Sequence, residues 1–201
     1  MPTLKTLLET YVRAKDKTQA HLIPSVYAPN AVLTFSIATD GISFPPLVVG
    51  ADGIAQTLVT DFGAQYSDCK TYYICDALTL RDNKLSALPW LVLMRHAATG
   101  RMRIGTGHYD WHLEPLGPDS WHATAMHIHI DRMDAVDAAP SQALARLQTI
   151  LPYPWLSPRA MRSAFETVAA SDPAYEFLLG YLPDGRHADQ EKSAAPAAEK
   201  Q

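Results

Sequence analysis

Five of the eight histidines fall within the 22 residues from His108 to His129. His108-x-Asp110-x-His112 sets three polar side chains on one face of an extended strand, and His127-x-His129 sets two more nearby. Imidazoles transfer protons near neutral pH, ligate metals or hydrogen-bond across a sheet. At about 3.3 Å of rise per residue, His108 and His112 lie about 13 Å apart, too far to share an ion whose ligands sit about 2 Å from it. His108 with Asp110, or His127 with His129 and a cross-strand partner, could share one. No Glu or Cys cluster supports either pair, so no metal and no cofactor is expected. The plainer expectation is a polar outer sheet face of cross-strand hydrogen bonds.

These residues need a hairpin to position them. Two extended runs flank the turn-rich Pro115-Leu116-Gly117-Pro118-Asp119-Ser120. A slip of one residue exchanges the two faces of a strand. If paired positions add to 235, Tyr109 faces Met126, Gly107 faces Ile128 and Trp111 faces Thr124, giving an apolar face. The other face then carries His108 opposite His127, and Thr106 opposite His129. A sum of 234 mixes the two sets into a half-polar cavity. The cleaner segregation favours 235, with His108, Asp110, His127 and His129 turned away from the interior and buried in a homodimer. Trp90, Tyr109, Trp111 and Met126, with Phe35 and Ile128, are candidates to wall a ligand pocket, or else to fill the core.

The chain in order sets the frame. Leu4, Leu7, Leu8, Tyr11 and Val12 recur at helical spacing over residues 3–16, with Thr3 as cap. A short helical stretch follows to Val26, then a break at Tyr27–Asn30 and a strand over 31–37. After a loop over 38–51, Asp52 is expected to cap a helix to about Tyr66. Strands are expected over 69–80, 85–97, 101–114 and 121–134, joined by short turns into an antiparallel meander. The run Trp90-Leu91-Val92-Leu93-Met94 is apolar on both faces, so both should be covered. Helices opening near Pro140, Pro158 and Pro173 follow, since Pro is tolerated in a first turn. The expected division is residues 1–135, a helical extension 136–184 packed on them, and a disordered tail 185–201 rich in Ala, Glu and Lys.

Composition excludes several classes. The net charge is −4 and the 17 Lys and Arg residues are scattered, so nucleic acid is not an expected partner. No run approaches the about 20 apolar residues of a membrane helix. Cys69 and Cys75 form no CxxC pair, and a cytoplasmic protein with free thiols is expected. No GxSxG, P-loop or dinucleotide fingerprint occurs.

Helix, short helix, strand, helix and four antiparallel strands is the order of the NTF2-like, or SnoaL-like, α+β cone. Val26-Tyr27-Ala28-Pro29-Asn30-Ala31-Val32-Leu33, Gly50-Ala51-Asp52-Gly53-Ile54 and Gly107-His108-Tyr109 with Trp121 resemble segments of that superfamily. The resemblance covers roughly residues 4–134. It implies a curved, mostly antiparallel sheet wrapped on N-terminal helices. Its nearest enzyme pattern is that of scytalone dehydratase, in which an Asp, tyrosines and two sheet histidines serve a closed pocket. Asp16 falls on the Asp position and Tyr72 or Tyr73 on that of the first His, while His96 could stand for the second. Lys15 and Phe35 replace tyrosines of the pattern.

Two functions follow as expectations. One is a binding protein for a small hydrophobic molecule, without a complete catalytic set. The other is a cofactor-free lyase or isomerase, dehydratase- or cyclase-like, with Asp16 as general base and Tyr73 and His96 beside it. As a base, Asp16 would need burial to raise its pKa.

Overall fold

The computed structural model describes residues 3–137 and 139–182. The expected tail from 185 onward lies outside them. Helix α1 (Leu4–Asp16) begins where the side chain of Thr3 accepts a hydrogen bond from the Thr6 amide, and Arg13 and Lys15 complement its C-terminal dipole. Its apolar stripe of Leu7, Leu8, Tyr11 and Val12 is fully buried. A 3₁₀ turn over Ala20–Ser25 contains Pro24 and leads into β1 (Tyr27–Ile37). The expected break at Tyr27–Asn30 is instead a bulge inside this strand, where the register shifts between Tyr27 and Val32. Pro29, which has no N–H for a ladder, sits in that bulge.

The loop expected over 38–51 contains a short edge strand, β2 (Leu47–Val49). The helix that follows is continuous in three parts: α2 (Ala51–Ala55), a wider π segment (Gln56–Asp61) and α3 (Phe62–Gln65). Asp52 does not cap it. Gly50 holds the cap position at φ 86°, where a side chain is strained, and Asp52 lies in the first turn.

The remaining strands are β3 (Tyr66–Ile74), β4 (Lys84–His96), β5 (Met102–Gly117), β6 (Ser120–Val136) and β7 (Trp155–Leu156). They form one seven-stranded sheet in the order β2-β1-β6-β5-β4-β3-β7. Pairs are antiparallel except β1 with β6 and β3 with β7. This curved, open sheet with helices is an NTF2-like cone, as expected. The hairpin register differs by two residues from 235: Trp111 pairs with Met126, Tyr109 with Ile128 and His108 with His129, each adding to 237. The turn explains the shift. It is tightened onto Pro118-Asp119 between the paired Gly117 and Ser120, with Asp119 at φ 56°, rather than spread evenly over 115–120. A shift of two preserves the faces, so the apolar and polar sets separate as the sum of 235 implied.

Two cores use the two faces of the sheet. On the concave side, α1, the 3₁₀ turn and α2–α3 pack against Trp90, Val92, Tyr109, Trp111, Met126 and Ile128. On the convex side, Tyr72, Leu91, Leu93, Met102 and Ile104 are covered by α4 (Ala143–Ile150), α5 (Pro158–Ser171) and a 3₁₀ segment over Pro173–Tyr181. The apolar run of β4 is thus covered on both faces. Ser157 caps α5 by accepting from the Ala160 amide at 3.1 Å. Arg132 of β6 donates to the Gly180 carbonyl at 2.7 Å, and the Tyr181 hydroxyl donates to Asp134. Among the described residues no helix covers the convex half that carries β2, β1 and the outward histidines. No helix among the described residues is long and apolar enough to cross a membrane.

Candidate functional site

The C-terminal turn of α1 brings a cation and an anion into the interior together. Lys15 Nζ donates to Asp16 Oδ1 at 2.7 Å and to Thr71 Oγ1 at 2.7 Å, and lies 3.6 Å from Cys69 Sγ. Asp16 is saturated. Its two oxygens accept from Lys15, from the Cys69 thiol (3.2 Å), from the Thr71 amide (2.6 Å) and hydroxyl (3.0 Å), and from the Tyr153 hydroxyl (3.0 Å). Burial alone would raise its pKa, but the Lys15 charge and these hydrogen bonds together hold it below the usual carboxylate value. That is the opposite of what the general-base expectation required.

The same partners set their neighbours. Burial disfavours the Lys15 ammonium, yet Asp16 outweighs it and holds Lys15 charged to a higher pH than usual. Burial and the Asp16 charge push the Cys69 thiol up to about 12, which leaves it inert as a nucleophile. The basic neighbour of Cys69 is Lys15.

Next to this pair is a small cavity of about 40 Å³, lined by Tyr11, Lys15, Phe62, Trp90, Tyr109 and Ile128, with Ile42 and Phe44 also lining it. The Lys15 ammonium stands 4.8 Å from the centre of the Phe62 ring. The indole N–H of Trp90 is buried and has no hydrogen-bond partner among the described residues. The Tyr11 hydroxyl has no well-formed partner either, and burial pushes its pKa up to about 12. The Tyr11 hydroxyl is directed at Tyr109, so among the described residues the Trp90 N–H is the donor of the wall left open.

The expected pocket residues divide. Trp90, Tyr109 and Ile128 line the cavity. Trp111 and Met126 belong to the packed core: Trp111 meets Tyr11 edge-on at 5.1 Å between ring centres, and Met126 Sδ accepts from the Tyr27 hydroxyl at 3.2 Å. Phe35 stacks on Phe44 at 4.6 Å. The expected catalytic set is not assembled. Tyr73 donates its hydroxyl to the Leu8 carbonyl at 3.1 Å and stacks on Trp155. His96 pairs with Tyr66 at the other end of the β3–β4 ladder and turns its Nδ1 to Thr99. The sequence sets Lys15 beside Asp16 on a tyrosine position of the dehydratase pattern, but it gives no signal for Thr71 or Tyr153 as neighbours of Asp16. The spacing of Tyr11 and Lys15, four residues apart on one helix stripe, also points Lys15 inward.

The outer face holds a second cluster. The rings of His108 and His129 stack at 4.0 Å, and His129 Nε2 lies 2.9 Å from Asp110 Oδ2. Asp110 also accepts from the Ala87 amide at 2.7 Å. His127 is fixed between Thr34 (2.6 Å) and Ser36 (2.8 Å) of β1. Its pKa is lowered, first by partial burial and then by its histidine neighbours. These residues face away from the cavity. His112 lies exposed further along β5.

Solved structures resemble this chain in fold. LinA matches with a TM-score of 0.54 at 15% identity, over 66% of this chain and 86% of its own. A hexachlorocyclohexane dehydrochlorinase, LinA-type3 from Novosphingobium barchaimii LL02, matches with a TM-score of 0.51 at 15% identity, over 66% and 87%. An NTF2-like superfamily protein from Salmonella enterica subsp. enterica serovar Typhimurium str. LT2 matches with a TM-score of 0.49 at 16% identity, over 61% and 84%. The fold is NTF2-like, or SnoaL-like. A shared fold at this identity assigns no activity. No protein-family model and no curated protein matches the chain.

Proposed function

We propose that this chain binds a small, ring-containing apolar molecule bearing an acceptor oxygen, and does so without transforming it. The observation that supports this best is the buried, unpartnered Trp90 indole N–H on an aromatic cavity wall. A ketone or phenol oxygen would satisfy it, and the rings would stack on Tyr109 and Phe62. A cavity of about 40 Å³ is small for a ring, so Ile42 and Phe44 must give way when the ligand enters. Asp16 argues against proton abstraction, since five donors already hold its charge.

The test is calorimetry or thermal shift with single- and two-ring phenols, ketones and matched hydrocarbons. Trp90→Phe should weaken the oxygenated ligands by about threefold to tenfold, the worth of one net hydrogen bond, and spare the hydrocarbons. Absence of binding by every compound would reject the proposal. Turnover of a ligand that disappears in Asp16→Asn would establish instead the lyase or isomerase reading with Asp16 as base.

The same proposal includes a homodimer through the sheet, centred on the convex face of the edge strands β2 and β1, where Leu47 and Val49 are 55% and 62% exposed, with the β5–β6 histidines outside its centre. Light scattering should give a dimer mass, and Leu47→Glu a monomer. The two cysteines, both free thiols, accord with a cytoplasmic location.

A further inference from the structure

We propose that His108, Asp110 and His129 form a binding site for a late first-row divalent ion, zinc being the probe of choice, on the convex face of the sheet. Sequence spacing pointed to no such site, because a register of 235 sets His129 opposite Thr106. The observed register sets it opposite His108 and diagonal to Asp110. One ring nitrogen from each histidine and one Asp110 oxygen then lie within 4.8 Å of one another. Donors about 2.0–2.2 Å from a tetrahedral zinc lie roughly 3.3–3.5 Å apart, so side-chain rotations of about 1 Å close the set.

The surroundings are built in the way a metal site needs. Asp110 uses Oδ1 to accept the Ala87 amide, leaving Oδ2 toward His129. That amide is free for a side chain because β4 bulges between Leu85 and Leu88, with Ala87 at φ 51°. Asp131 Oδ2 stands 3.8 Å from His108 Nδ1, beyond hydrogen-bond distance but near enough to add negative charge beside the site. His127 packs against His129 at 4.1 Å with both nitrogens engaged by Thr34 and Ser36, which holds the neighbouring ring in place without competing for the ion. Two imidazoles and one carboxylate suit zinc, nickel, cobalt or copper rather than magnesium or calcium. The three side chains are 28–35% exposed, so the ion would keep one or more water ligands and enter from solvent.

The test uses the untagged full chain, stripped with chelator and dialysed against zinc. Elemental analysis should give one zinc per chain. Cobalt in its place should give visible absorption of a tetrahedral or five-coordinate site. Asp110→Asn, whose amide oxygen can still accept from Ala87, and His129→Gln should each weaken zinc by roughly tenfold or more. His112→Ala, on the same strand and face but outside the cluster, should bind as the wild type does. Circular dichroism checks folding, and Asp110→Asn carries the test if His129→Gln does not fold. Wild type that retains no zinc at tenfold excess, or folded Asp110→Asn that retains it as tightly as wild type, would overturn the site.

Discussion

Lys15 Nζ and Asp16 Oδ1 meet at 2.7 Å although the residues are consecutive on α1. Neighbours on a helix point about 100° apart, so both turn inward only because the helix ends here with β3 beside it. Asp16→Asn leaves the ammonium buried without a counter-ion. The expected loss is about 3–5 kcal/mol at pH 7, read from urea unfolding.

The same pair predicts an acid limb. The folded Asp16 carboxyl lies below its ordinary 3.8, so its contribution is present above that value and is lost as pH falls through the lowered one. The urea midpoint of the wild type should therefore drop more steeply below pH 4 than that of Asp16→Asn. Parallel curves would show that Asp16 is not stabilised as an anion.

Gly107 allows the closest approach in the β5–β6 hairpin. A Cβ there would sit 1.9 Å from the His129 carbonyl oxygen and 2.6 Å from the Trp90 ring. Backbone cannot yield by that much, so Gly107→Ala should cost about 3 kcal/mol or more, or leave the protein in inclusion bodies. Gly100→Ala meets nothing within 4 Å but sits at φ 68°, and should cost about 1 kcal/mol from backbone strain alone. Thermal unfolding of both variants separates contact from conformation.

The two helix starts make a paired test. Ser157 bonds the Ala160 amide and Asp52 bonds no amide of its helix. Ser157→Ala should cost about 1 kcal/mol, and Asp52→Ala only the few tenths of a dipole interaction. Equal losses would contradict the cap assignment.

Phe165 anchors α5 in the convex core with no exposed surface. Phe165→Ala should cost about 3–5 kcal/mol in a single cooperative transition. An early, separate transition would mean that the C-terminal helices melt independently of the cone.

The architecture was largely legible because it rests on periodicity. The stripe of α1, the doubly apolar β4 and the alternation along β5 and β6 each name a burial pattern that only one packing satisfies. The hairpin register was legible only in parity, since either of two turn centres keeps the same residues inward. The short strands β2 and β7 carry too few residues to announce themselves. At the site, Asp16 could be singled out but its state could not. That state is set by Thr71, Cys69 and Tyr153, which lie 53 to 137 positions away and have no spacing signature.

The parallel pairing of β1 with β6 also sets a schedule. Tyr27 lies opposite Ala123 and Ile37 opposite Ile130, so β1 leaves the ribosome roughly ninety residues before its partner. At about 5–20 residues per second, the apolar stripe of Leu7, Leu8 and Tyr11, made about 110–130 residues before β6, then waits about 5–25 s for the strand that completes the sheet. During that interval the apolar face of α1 is exposed, which is the condition under which incomplete chains aggregate.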